Sequence, residues 1–241
     1  MYEDYFDLQL RLAASYARTA DVPFYVAVER CTNLRRRLNL LGSSGLDRWE
    51  EFLRHAAHAE TDHSSTLSAC MALFSTRPRV DKSQAFGCFS YDPPDQSGVL
   101  RIHFMPTSGA NDSPLSLSSR SARTDELRSM FLHIRRTETR VTLVRGVSWL
   151  YNLDAYKRLF PPSYQASVRL PWFPLHMNGS STWGQVLNWR QEIKPAVRDA
   201  VIAKLVAINP EAPWEVFPLR ALIATSEIGP FFDWFQCAKE P

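Results

Sequence analysis

Two residues stand where their helix should be apolar. Residues 46–75 keep a single helical phase, with Trp49, Phe52, Leu53, Ala56, Leu67, Cys70, Met71 and Phe74 on one side. Glu60 and His63 fall along that same stripe. Burying a carboxylate and an imidazole is costly unless they are paired or bind something. An E-x-x-H pair is also how bundle helices present two ligands to a di-iron centre. That chemistry needs a second such pair and the sequence has none, so no metal is assigned. A structural pair, or a helix break near residue 60 that makes both residues caps, is the expectation. On the opposite face Glu51, His55, His58 and Asp62 follow one another at spacings of four, three and four. Such a row could clamp a divalent ion, but ordinary i,i+4 pairing on a wet helix accounts for it.

A second group lies on a predicted hairpin, AFGCFSYD and VLRIHFMP joined by the polar turn PPDQSG. Pairing Tyr91 with Gly98 puts Phe89, Tyr91, Leu100, Ile102 and Phe104 on one face, which is the core. The other face then carries Cys88, Ser90, Arg101 and His103, with Phe86, Val99 and Met105. Cys88 and His103 would be diagonal neighbours, close enough for a thiolate–imidazole pair. No third orienting group is evident, and a small buried thiol is the plainer reading of Cys88. That face could still bind a substrate, with Cys88 and Arg101 as its contacts.

The third group opens the next helix. The Ser-rich loop 107–120 feeds residues 121–136, whose free first-turn amides and dipole favour an anion. Ser119, Arg120, Ser121 and Arg123 gather there. An ordinary polar loop with Ser121 or Thr124 as N-cap is the alternative.

The elements that must hold these groups follow from periodicity. Residues 2–19 form an amphipathic helix. Asp21 opens a second, with Pro23 in its first turn and Gly42 as its stop, and Arg35-Arg36-Arg37 on its solvated side. With 46–75, three or four helices fill the first third. The hairpin, the loop and the 121–136 helix follow, with Leu127, Met130, Phe131 and Ile134 inward. Then come the strand RVTLVRGVSW and a short helix LDAYKRLF, capped by Asn152 and closed by Pro161-Pro162. Thr182 and Gln185 have the spacing of a capping box. Pro195 starts or breaks a helix that runs to about Ile208. Trp214, Phe217, Phe231, Phe232 and Trp234 make the tail apolar, fit for core packing or for a partner surface. The fold class is therefore α+β: a helical subdomain over 1–80 packed on an α/β body over 81–241, with a ββαβα core.

Composition narrows the function classes. With 45% hydrophobic and 12% aromatic residues, the 241-residue chain can bury a large core. A net charge of +3 implies no nucleic-acid partner by itself. Arginine outnumbers lysine 23 to 5, from a GC-rich coding sequence or from a preference for phosphate and carboxylate partners. No apolar run is long enough for a membrane span, and MYEDYFDLQLRLAASYA lacks the basic flank and apolar stretch of a signal peptide. Four scattered cysteines give neither a disulfide framework nor a zinc knuckle, so reduced thiols and a cytoplasmic location are expected. Gly146-Val147-Ser148-Trp149-Leu150 begins like a nucleophile elbow but ends in Leu. GxxxxGK[ST], GxGxxG and HExxH are all missing.

The order hairpin, loop, helix, strand, Asn-x-x-Ala helix over residues 85–160 resembles the core of the GNAT acyltransferases. That family's loop amides hold the acyl-CoA pyrophosphate through a Gly-rich Q/R-x-x-G-x-G/A pattern. Here the segment reads Ser118-Ser119-Arg120-Ser121-Ala122-Arg123, with no glycine. Asn152 and Ala155 match the family's Asn-x-x-Ala. Leu159 occupies the place of its tyrosine, and the nearby tyrosine is Tyr156. The resemblance implies a small-molecule acyltransferase using acyl-CoA. Residues 118–123 would hold the cofactor, Arg101 and His103 would face the substrate, and Tyr156 or Asn152 would lie near the reacting centre. The phrase GVSWLYNLDAYKRLFP also resembles a bacterial protein family of no known function, which implies no activity. A non-catalytic binding or regulatory protein on the same scaffold, with a protein partner in place of a small-molecule substrate, is the rival reading.

Overall fold

The computed structural model describes residues 2–58, 62–77, 85–106, 112–172 and 177–237. Among these, eleven α-helices occur in chain order. They are α1 (Glu3–Ala20), α2 (Phe24–Cys31), α3 (Leu34–Arg37), α4 (Leu46–His58), α5 (His63–Ser75), α6 (Arg120–Thr137), α7 (Asp154–Lys157), α8 (Pro162–Ala166), α9 (Ser180–Trp183), α10 (Pro195–Lys204) and α11 (Gly229–Trp234). The strands are β1 (Phe89–Asp92), β2 (Val99–Phe104), β3 (Leu143–Ser148) and β4 (Leu222–Glu227). The fold is mixed α/β with a helical N-terminal region, and no helix among the described residues is long and apolar enough to cross a membrane.

Contacts divide the chain into two interleaved units, Met1–Asp81 with Pro174–Arg220, and Lys82–Phe173 with Ala221–Pro241. The sequence division at residue 80 left 174–220 in the α/β body. Instead, this stretch closes the helical core. Trp183 and Val186 join Tyr5, Phe6, Leu8, Val28, Cys31, Trp49 and Phe52 in one buried cluster. Trp183 donates its indole N–H to the carbonyl of Cys31 at 2.9 Å, and Ser15 donates its hydroxyl to the carbonyl of Leu205.

Within this first unit, buried polar contacts override the expected helix boundaries. The helix predicted over 21–42 breaks after Cys31. Thr32 turns extended (φ −116°, ψ 157°), and the amide of Asn33 donates to Gln9 Oε1 at 2.8 Å. Tyr5 donates its hydroxyl to Asn33 Oδ1 at 3.0 Å. These bonds lie at zero solvent exposure, where satisfying a side chain outweighs continuing a helix ladder. Asp21 does not open α2. It closes α1 in the left-handed conformation at φ 51°, and Pro23 precedes α2. The break expected near residue 60 is present: 46–75 is two helices, α5 starting with Asp62 as N-cap, which accepts from the amide of Ser65 at 2.9 Å. The capping box expected at Thr182 and Gln185 is absent, because Gln185 is used to tie the amide and carbonyl of Leu219.

The second unit is built on the sheet β1-β2-β3-β4, with antiparallel outer pairs and a parallel pair β2–β3 at its centre. Parallel neighbours need a long crossover, and α6 supplies it. Its Leu127, Met130, Phe131 and Ile134 are fully buried against Leu100, Ile102 and Val144. The hairpin register places Tyr91 opposite Ile102, four residues beyond the expected Gly98. The shift is even, so Phe89, Tyr91, Leu100, Ile102 and Phe104 keep the core face. Asp95 sets this register, its carboxylate accepting from the amides of Ser97 and Val99 and lengthening the turn. The tail contributes β4, antiparallel to β3 along all six residues, and α11, whose Phe231 stacks on Phe131 at 4.7 Å. Registered β2–β3 pairs are Val99–Leu143, Leu100–Val144 and Arg101–Arg145; both strands continue three residues further without one.

Two outcomes follow from these contacts. Asp7 accepts from Arg11 Nε and from His63 Nε2, both at 2.7 Å. Burial pushes its carboxyl up, but the two hydrogen bonds outweigh burial and hold it below the usual carboxylate range. This contribution is present above the ordinary Asp pKa and is lost as pH falls through the lowered folded value. Asp7→Asn should therefore be less stable than the parent at neutral pH, with the gap closing in acid, as chemical denaturation across pH would show. Gly146 has no room for a side chain, since a methyl there would collide with the hydroxyls of Tyr151 and Tyr164. Gly146→Ala should cost about 1–3 kcal/mol. Combining it with Tyr151→Phe should return part of that loss in thermal unfolding.

Candidate functional site

The start of α6 is where the structure assembles most of the expected residues. Ser119 precedes the helix without capping it: its hydroxyl donates to the carbonyl of Ser113 at 3.1 Å and accepts from Ser116. Neither Ser121 nor Thr124 caps in its place; Thr124 donates back to the carbonyl of Arg120 at 3.0 Å. The amides of Arg120 and Arg123 donate to the carbonyls of Leu117 and Ser119. Those of Ser121 and Ala122 meet no acceptor among the described residues. Arg120 and Ser121 are exposed beside them.

Arg123 is used differently from the sequence expectation. Its guanidinium pairs with Glu126, and Glu126 also accepts the amide of Cys88 at 3.0 Å. Gly87 makes that arrangement possible, because its φ of +62° curls the chain against the Glu126 side chain. The pair therefore joins α6 to the start of β1. One donor is left over: Nε of Arg123 is buried without a partner.

Arg158, which the sequence does not single out, supplies a further positive charge. Leaving the helix after Lys157, it donates Nη2 to the carbonyl of Leu115 at 3.3 Å, in the same 113–119 loop that leads into α6. Its Nε is also buried without a partner. Arg158 and Lys157 line an open depression with Asp154, Pro162, Gln165 and Ala166. Lys157 is tied to Asp154 at 2.8 Å. A buried donor without an acceptor costs about 1–3 kcal/mol, and a guanidinium matches phosphate or carboxylate bidentately. The signal was a lone arginine after a short helix, which nothing in sequence connects to residue 115.

The residues expected to do chemistry are placed elsewhere. Tyr156 is buried among Tyr151, Phe160 and Phe104, and burial together with Tyr151 pushes its hydroxyl well above the usual tyrosine value. A phenol in that setting packs the core and cannot meet a substrate. Asn152 does not cap α7, which Leu153 precedes; its side-chain amide donates to the carbonyl of Trp149 at 2.7 Å and closes the preceding 3-10 turn. Pro162 opens α8 where a stop was expected. His103 is half exposed and held by Asp92 at 2.9 Å, while Cys88 is buried. The imidazole is thus engaged by a carboxylate on the face it shares with Arg101. Arg101 is exposed there, and Ser90 lies opposite His103.

The helical unit offers no stronger site. Glu60 lies outside the described residues. His63 opens α5 and bonds Asp7. The row predicted on the opposite face is spent locally. His55 Nε2 lies 3.1 Å from the hydroxyl of Ser65, His58 Nδ1 bonds the carbonyl of Arg54, and Asp62 caps α5. Among the described residues no group of three His, Cys, Asp or Glu side chains could hold a metal ion.

All four cysteines are buried and none forms a disulfide, and burial pushes the thiols of Cys31 and Cys70 up to about 12. Cys237 is also raised by burial, against the nearby charges of Arg135 and Arg128. Since the thiolate is the reactive form, an aromatic disulfide reagent at neutral pH should release almost no thiol from the native protein. In denaturant it should release four equivalents; rapid native labelling of Cys88 would restore it as a candidate nucleophile. No protein-family model, no curated protein and no solved structure matches the chain.

Proposed function

We propose that the second unit binds an anionic acyl donor of the acyl-CoA class at the start of α6, as a small-molecule acyltransferase with a GNAT-like core. The observation that carries this reading is the uncapped first turn of α6. Ser119 turns its hydroxyl away to the 113–119 loop, leaving the Ser121 and Ala122 amides free beside exposed Arg120. Unspent guanidinium donors on Arg123 and Arg158 support it, since phosphate oxygens accept from such groups. The parting of β2 and β3 supports it too. Facing strand edges without registered partners can take an extended, amide-bearing arm as an added strand. Four cysteines outside any disulfide fit a reducing, cytoplasmic setting.

A second reading, a non-catalytic binding or regulatory protein on the same scaffold, is favoured by the placement of Tyr156, Asn152 and His103. One is sealed in the core, one folds onto its own backbone, and one is held by Asp92. Isothermal titration with acetyl-CoA and with CoA tests the acyl-donor reading. Binding should appear with the parent protein and weaken about tenfold in Arg120→Gln and in Arg158→Gln, the loss of one charge-assisted hydrogen bond. No heat with either compound overturns the acyl-donor reading and leaves the second one, with a protein as its partner. Release of free CoA thiol in the presence of amine acceptors selects the transferase; binding without release selects the regulatory protein.

A further inference from the structure

A different pair of arginines stands on the far side of the sheet. Arg101 and Arg145 form the last registered pair before β2 and β3 part. Arg101 alternates with buried Leu100 and Ile102, and Arg145 with buried Val144 and Gly146. Since Leu100, Ile102 and Val144 pack on α6, both arginines project from the face opposite that helix.

Their position has an electrostatic cost. Neighbouring strands lie about 4.8 Å apart, and like charges directly opposite one another destabilise a sheet. Among the described residues neither arginine has an ion pair, and the carboxylates nearest Arg101 offset the repulsion only in part. Asp92, opposite Arg101, is held by His103 at 2.9 Å. Asp95 feels the charge of Arg101, but its carboxylate is bonded to Ser97 and Val99. On β4, Arg145 faces Thr225, and Glu227 lies one diagonal step away without an ion pair to either arginine among the described residues. Nε of Arg145 is buried and has no acceptor. Two cations on registered neighbouring residues, one with a buried, unsatisfied donor, thus sit at the last registered pair of β2 and β3.

We propose that Arg101 and Arg145 bind a phosphoryl group at this fork, the anion bridging the two guanidinium groups and turning their repulsion into attraction. Guanidinium forks match tetrahedral phosphate oxygens with paired N–H donors. The site shares the end of the β2–β3 ladder with the proposed donor's arm but none of the groups at the start of α6, and it stands whether or not that region binds an acyl donor.

Arginine Nε–H resonances of the intact 15N-labelled protein report on it directly, with the Arg145 signal assigned by Arg145→Lys. Inorganic phosphate should move that signal saturably, and sodium chloride at matched ionic strength should not. Glycerol phosphate is the second arm: saturation by it as well identifies an ester phosphoryl group, and saturation by inorganic phosphate alone identifies the free ion. Arg101→Gln, at an exposed position, should weaken the phosphate response about tenfold. The same variant should raise the melting temperature in phosphate-free buffer, because the repulsion is gone. Arg120→Gln should leave the titration unchanged, which separates this fork from the α6 start. An Arg145 signal that does not saturate, an equal response to chloride, or a full response in Arg101→Gln overturns the proposal.

Discussion

Three rungs of parallel ladder, Val99–Arg101 against Leu143–Arg145, set the form of the second unit. Parallel strands cannot be joined by a turn, so the chain must leave β2 and return to β3 through a crossover that buries one of its own faces. This requirement accounts for the inward stripe of α6 and for the aromatic seal of Phe231 and Phe235 on Phe131. It also places the start of α6 after the carboxyl end of β2, the side on which open α/β sheets collect their ligands. Where the ladder stops, Gly146 lets the Tyr151 and Tyr164 hydroxyls approach the backbone and bond each other at 2.6 Å. The same short ladder thus defines both the core of this unit and the point where its strands separate.

Charge in this chain is mostly committed to architecture. Asp7 joins α1 to α5 through His63, Glu126 joins α6 to the start of β1, Asp92 holds His103 across the hairpin, and Asp154 holds Lys157 within α7. In each case a carboxylate is the acceptor and a polar donor from the same or a neighbouring element is satisfied. What remains is donors: in the second unit the buried Nε atoms of Arg123, Arg145 and Arg158 and the first-turn amides of α6, and in the first unit Asn33 Nδ2, Arg37 Nε and the indole N–H groups of Trp189 and Trp214. Buried polar groups are ordinarily paired, and in the second unit the excess is carried by guanidinium groups. The complement it calls for is an anion, and the excess arises on both sides of the sheet.

The sequence was most legible where local periodicity and burial agree. Helices α1 and α6 lie within a residue or two of their predicted spans, and the hairpin's core face is as expected despite a four-residue change of register. Parity explains that tolerance, because an even shift returns every side chain to its own face. The misses have long-range causes. Nothing within 21–42 says that Asn33 will be claimed by Tyr5 and Gln9, and nothing near Gln185 announces Leu219. Strand β4 was invisible because its burial follows no two-residue alternation, Ile223 and Ala224 being buried side by side. Of the site residues, Ser119, Arg120, Ser121 and Arg123 could be found as neighbours in the chain. Arg145 and Arg158 could not, since their significance lies in residues 101 and 115.

The separation of binding groups from chemical groups has a physical basis. A general acid must reach both water and substrate, and it needs a pKa near the working range. The aromatic cluster denies both to Tyr156: sharing a dry core with Tyr151 and Tyr164 makes ionisation costlier for all three. Guanidinium groups tolerate the opposite compromise. Their aliphatic stems pack against apolar neighbours while the charged end stays at the margin, and they remain protonated at any physiological pH. A unit that buries its tyrosines and keeps its arginines at loop and strand ends is therefore suited to hold an anion before it is suited to transform one. Transfer chemistry at α6 would have to be supplied by the bound donor's own reactivity or by an acceptor's amine, with the protein contributing position and charge.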